Sequence, residues 1–275
     1  MLPQQIALVS ETRSVAANEV MRVAAALQKQ AARDLAPLWG VSGNISGFAS
    51  LDEVPLGYWP IIVMENVQGA AGYHEDEDGQ PFAVVEAGDS WSLTASHENC
   101  EMLVDPFGRR LVAGCSPKPD QSRVQFLVEV CDPSEDETYG YTVNGVLVSD
   151  FYTPSFFDPN SSSGVRYSFT GAIEKPRQVL KNGYLSWRVP STKHWWQLTW
   201  FDAEPEFKDL GVFTEKESLR AQLDKRRPEM LRLSSLPAAN PVLTAAHVKL
   251  GKARVESNAW AQSLKRQIAA LRSAH

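Results

Sequence analysis

Ser96-His97-Glu98-Asn99-Cys100-Glu101, closed downstream by Asp105-Pro106, is the stretch on which the reading of this chain turns. Asp89 or Ser90 supplies an N-cap, and Trp91, Leu93, Cys100, Met102 and Leu103 supply apolar residues for a helix. Asp105-Pro106 stops it, because the residue before a proline is pushed out of helical geometry. On such a helix, residues four apart lie one above the other. His97 and Glu101 therefore point the same way, with Glu98 beside them. Two ligands one turn apart with a glutamate between them is how an HExxH helix holds zinc and polarises a metal-bound water. Here Glu101 replaces the second histidine, giving HExxE. A pattern this short arises by chance in many proteins, so its placement has to carry the weight.

Upstream, Ile6-Ala-Leu-Val9 is a short apolar run that reads as a buried strand. Ser14 looks like an N-cap, and Val20, Val23, Ala24, Leu27 and Ala31 recur at helical spacing before Pro37 ends the helix. Asn44 to Ala49, Trp59 to Glu65 (around Ile61-Ile-Val-Met64) and Phe82 to Glu86 follow as strands. An acidic, glycine-punctuated loop from Gly69 to Pro81 precedes the last of them. Within it, His74 and the run Glu75 to Asp78 read as solvated groups, with a cleft-facing His74 and a cation-binding loop as the sharper alternatives. The order is thus strand, helix, three strands, helix, and Phe82 to Glu86 is expected to be the edge strand lining a cleft.

After Pro106 the character changes. Arg123 to Cys131 alternates as a half-buried strand, and Tyr139 to Val148 around Asn144-Gly145 carries the clearest hairpin signal in the chain. Ser149 to Gly164 is a loop, Tyr184 to Phe201 one or two further strands, and Glu217 to Lys225 a short helix. Pro237 to Pro241 reads as a linker. His247 to Ala274 then reads as a helix with Trp260, Leu264, Ile268 and Leu271 on one face, suited to a protein partner or a sister subunit, or to its own domain.

This element order, together with the motif, resembles the zincin metallopeptidase fold over roughly Ile6 to Cys131. The stretch SHExxE…DP, followed by Glu129-Val-Cys131 and Val143-Asn-Gly-Val-Leu-Val148, is also similar to a group of zincin-like proteins in which an acidic residue and a cysteine precede a "VNG" hairpin. The resemblance implies an α/β (α+β) fold: a zincin-like mixed sheet with its active-site helix in residues 1–135, a β-rich continuation in 136–236 and a helical extension in 237–275. It implies a metal held by His97, Glu101 and a downstream acid, with Glu129 the best match and Asp132 and Asp105 as alternatives. Asp105 doubles as a turn residue bonding backbone amides, the role favoured for it. Glu98 would be the general base of a metal-dependent hydrolase acting on peptide bonds. Zinc is the expected ion, and oxygen-rich ligation keeps calcium and manganese open. The rival is a non-catalytic scaffold that keeps the framework for interaction. Tyr139, Tyr141 and Tyr152 are candidate oxyanion donors, with packing in a Tyr-rich hairpin the plainer role.

Bulk properties narrow the field. The 275 residues, 43% hydrophobic and 22% charged, are ordinary for a globular chain, and the net charge of −6 argues against a nucleic-acid surface. Eight tryptophans, four of them from Trp187 to Trp200, suggest a well-packed sheet or an interaction face. Cys100, Cys115 and Cys131 lack CxxC spacing and read as buried thiols in a reducing compartment. With no basic start or long apolar core at the N-terminus and no run of about 20 apolar residues, a cytoplasmic protein without a membrane span is expected. No Gly-rich phosphate loop or G-x-S-x-G elbow anchors a nucleotide-dependent or serine-hydrolase reading.

Overall fold

In the computed structural model, which describes residues 3–67, 70–77, 79–213 and 219–224, the chain opens with β1 (Gln4–Ser10), α1 (Ala17–Gln30), α2 (Ala36–Trp39), β2 (Gly43–Phe48), β3 (Trp59–Met64), β4 (Gly72–Glu77), β5 (Gln80–Glu86) and α3 (Trp91–Val104). The five strands form one sheet in the order β2-β1-β3-β5-β4. β1, β2, β3 and β5 run parallel, and β4 runs antiparallel at the edge. The continuous apolar runs of β1, β3 and β5 follow from this arrangement, because strands inside a parallel sheet are covered on both faces. Ile6, Leu8, Ile61, Val63, Ala83 and Val85 face the helices, whereas Ala7, Val9, Ile62, Met64, Phe82 and Val84 pack with Leu51 and Val54 on the other side.

Three expectations differ from the structure. The edge is β4, and β5 lies inside the sheet between β3 and β4. The acidic stretch expected as a loop pairs with β5 from Gly72↔Val85 to Glu77↔Gln80. The stretch Gly72–Glu77 is an edge strand, a position at which charged residues discourage pairing with another chain. Nor does Pro37 end the first helix. A π-helical turn over Ala31–Leu35 resets the phase, and Pro37 falls in the opening turn of α2, where a missing N–H costs little. Gly40, with φ of 66°, then closes the helix in the left-handed region.

The remainder comprises β6 (Leu111–Cys115), β7 (Arg123–Leu127), β8 (Tyr141–Val143), β9 (Val146–Val148), β10 (Tyr184–Arg188), β11 (His194–Thr199), β12 (Glu206–Val212) and α4 (Leu219–Asp224). An antiparallel sheet is ordered β12-β11-β10-β7-β6, and β8 pairs with β9 across Asn144 and Gly145, both at positive φ as a two-residue hairpin requires. β7 stops four residues short of Cys131, leaving Glu129 outside the strand. The linker expected at Pro237 to Pro241 and the helix expected at His247 to Ala274 lie outside the described residues. Among those described, no helix is long and apolar enough to cross a membrane.

One apolar cluster runs from Ile6 to Trp187, and α3 lies within it. The helix packs against β3, β4 and β5 on one side and β9 on another, so every residue from Ala95 to Val104 is buried. A helix covered all round has no solvated face for its polar side chains, and each must find a partner inside. Ser96 does so by donating to the Leu93 carbonyl at 2.9 Å and accepting the Ser149 N–H at 2.6 Å, which ties α3 to the chain leaving β9. Ser96→Ala leaves that backbone N–H unsatisfied in the core. It should cost about 1–3 kcal/mol, read as a lowered denaturation midpoint at unchanged m-value.

Candidate metal centre

His97 and Glu101 stack on successive turns of α3, as the spacing requires, with His97 Nε2 3.3 Å from Glu101 Oε2. The opposite wall comes from the chain beyond β7. There Cys131 donates its N–H to Glu101 Oε1 at 3.2 Å, and the 3₁₀ turn Asp132–Ser134 places Asp132 Oδ1 3.3 Å from His97 Nε2. That turn is packed tightly enough that only glycine fits at position 183, where a Cβ would meet the Pro133 and Asp132 carbonyl oxygens at 2.7 and 2.8 Å. Glu101, Glu129 and Asp132 bring carboxylate oxygens within 4.8 Å of one another, all buried. Glu129 thus lies beside Glu101 and Asp132, the two carboxylates that contact His97. Cys131 Sγ also converges with His97 and Glu101, and Glu135 approaches His97 and Asp132 from a partly exposed position.

Asp105 is in a different place. Its Oδ2 accepts the Arg110 N–H at 2.6 Å, and amides of Arg109 and Phe107 support the same carboxylate. This is the turn role favoured from the sequence, and burial lifts its carboxyl above the ordinary range against those bonds. Tyr141 is pinned as well, its hydroxyl donating to Asp34 Oδ2 at 2.8 Å.

The sequence reading undervalued His74. β4 carries its ring fully into the core, where Nδ1 lies 3.1 Å from Glu98 Oε2 and 3.6 Å from Glu101 Oε2, and Nε2 lies 3.3 Å from the Asp105 carbonyl. The strand can approach α3 this closely because residue 72 is glycine. A Cβ there would meet Thr94 Cγ2 at 2.6 Å, the Val84 carbonyl at 2.9 Å and Glu98 Oε1 at 3.2 Å. Alternation of Gly72, His74 and Asp76 against Tyr73, Glu75 and Glu77 was the available signal, and the density of acidic side chains concealed it.

Two further groups report the field of these acids. Burial alone would lower the His97 pKa, but Glu101, Asp132 and Glu98 reverse that and hold it well above its ordinary 6.5. The Tyr152 phenol is fully buried and is pushed up, first by burial and then by Glu129, Glu101, Asp132 and Cys131. Its ring is fixed by stacking on Phe156 at 4.2 Å, yet its hydroxyl makes no hydrogen bond. A buried hydroxyl without a hydrogen bond, in the field of several carboxylates, is an orphaned polar group of the kind that calls for an explanation. The Cys131 thiol is likewise raised, by burial, by Cys100 and by Glu101, and is held as a thiol. Buried His, Glu, Asp and Cys side chains of this kind can hold a metal ion. No protein-family model matches the chain, and neither does any curated protein or solved structure.

A pH dependence follows for the metal-free chain. A histidine whose folded pKa is raised stabilises the fold fully below its unfolded value, and that contribution is lost as pH rises through the folded value. Chelator-treated protein should therefore lose thermal stability from neutral to alkaline pH. His97→Ala should flatten that slope when both are followed by circular dichroism melts.

Proposed function

We propose that the protein is a metal-dependent hydrolase with a zincin-like framework, its divalent cation held by His97 Nε2, Glu101 and the acids Glu129 and Asp132, and its substrate a peptide. The observation that carries the reading is that buried donors from α3 and from the segment after β7 meet: His97 Nε2 lies 3.3 Å from both Glu101 and Asp132, and Glu101, Glu129 and Asp132 bring carboxylate oxygens within 4.8 Å of one another. The antiparallel β4 beside α3 supplies the edge strand such a framework calls for. Donor chemistry fits a borderline dication: one imidazole favours zinc or manganese over calcium, which takes oxygen alone. A bound cation supplies a Lewis acid for a carbonyl. Several anionic ligands offset its charge, so a weaker acid than at an all-histidine site is expected.

The chain's own groups divide the remaining work. Glu98, in its one-cation form the proton acceptor, is held by His74 Nδ1 on Oε2 while Oε1 lies toward Gly72 of β4. Tyr152 stays protonated in this field and offers its hydroxyl as a hydrogen-bond donor. His97 must give up its proton to bind a cation, so affinity should fall as pH drops.

A second reading, a structural metal site in a non-catalytic interaction scaffold, draws on burial. His97 is 8% exposed, Glu98 2% and Glu101 0%, and closed sites are the structural kind. The zinc-loaded chain incubated with a mixed peptide library and read by mass spectrometry separates the two. Cleavage that chelator stops and zinc restores supports the hydrolase, whereas bound zinc without cleavage leaves the scaffold. His97→Ala and Glu101→Gln should each weaken zinc binding by at least ten-fold in equilibrium dialysis. Unchanged binding in both variants contradicts the ligand set.

A further inference from the structure

Glu101 sits between two imidazoles rather than beside one. Its Oε1 is occupied by the Cys131 N–H, while Oε2 faces His97 Nε2 at 3.3 Å and His74 Nδ1 at 3.6 Å. Each imidazole has its own acid as well: Asp132 Oδ1 at 3.3 Å from His97 and Glu98 Oε2 at 3.1 Å from His74. The buried donors thus form two lobes sharing one oxygen, with Glu129 beside Glu101 and Asp132 on the side of His97, and His74, Glu98 and Glu101 making up the other.

We propose that the centre holds two divalent cations bridged by Glu101, the second of them ligated by His74 Nδ1, Glu98 and Glu101. The proposal rests on the metal-centre reading above and replaces one part of it, since Glu98 passes from proton acceptor to ligand.

Three observations support it. First, donor–donor distances of 3.1–3.6 Å are those of a coordination shell. Bonds of about 2.1 Å at tetrahedral angles set donors roughly 3.4 Å apart. Second, His74 is oriented as a ligating histidine is, with its far nitrogen on the Asp105 carbonyl at 3.3 Å, which directs the Nδ1 lone pair at the carboxylates. Third, the charges would match: four buried carboxylates, Glu98, Glu101, Glu129 and Asp132, each ionised as a metal ligand is, balance two dications when both imidazoles are neutral. A shared carboxylate oxygen suits a pair of cations roughly 3.5–4 Å apart. The buried Tyr152 hydroxyl, which makes no hydrogen bond, adds an orphaned polar group to the same region of the core.

The full chain, stripped with chelator and titrated with manganese alone, tests this by equilibrium dialysis and electron paramagnetic resonance. Wild type should saturate at about two manganese ions per chain, the second addition broadening the signal of the first through exchange coupling. Glu98→Gln, close in shape to the native residue, and His74→Asn should each saturate at about one, with an uncoupled signal. Saturation of wild type at one ion, or a Glu98→Gln variant that binds as many ions as wild type, overturns the second site and leaves Glu98 as a base paired with His74. Failure of wild type to bind either manganese or zinc overturns this proposal and the metal-centre reading together.

Discussion

The cost of burying carboxylates governs this structure. Glu98, Glu101, Glu129 and Asp132 are all at least nine-tenths buried, and an ionised carboxylate without compensation in a protein interior costs several kcal/mol. The fold answers with two imidazoles, a backbone amide from Cys131 and a turn in which Asp132 meets His97. Proteins seldom keep such a cluster for stability, since well-packed apolar residues of similar volume serve that purpose at least as well. Its burial in the middle of the core is what motivates the metal-centre proposal.

Everything that places the cluster follows from α3 being covered on all sides. The parallel sheet lies under one face, the β8–β9 hairpin caps another, and the segment after β7 closes over His97. Ser96 fastens the helix to the hairpin exit, and Gly72 lets the edge strand come close enough for His74 to reach both carboxylates of successive turns. Glycine at 183 does the equivalent for the turn carrying Asp132. The chemistry is therefore set by close approaches of backbone, at positions where a single methyl group would push the walls apart.

Much of this was legible in the sequence, in the places where periodicity is undisturbed. The buried runs of β1, β3 and β5, the helical spacing of α1, the stop at Asp105-Pro106 and the Asn144-Gly145 turn are local signals, and the structure follows them. His97 and Glu101 share a face because helical geometry leaves no alternative. Failures came where one signal masked another. The charges of β4 hid its alternation and with it His74, and Pro37 concealed a helix that re-phases through a π turn instead of ending. β6 and β12 were missed because a short strand and a charged, exposed edge strand carry little hydrophobic pattern. Asp132 was named as an alternative ligand, but its contact with His97 depends on a turn whose position no local rule fixes.

Anomalous diffraction at the zinc edge, from crystals grown with the metal, tests the central claim most directly. The account predicts a peak about 2.1 Å from His97 Nε2 and from a Glu101 oxygen, with Glu129 or Asp132 completing the shell. A map with no peak, and with His97 still resting on Glu101 and Asp132 as an ordinary ion-paired histidine, would contradict it.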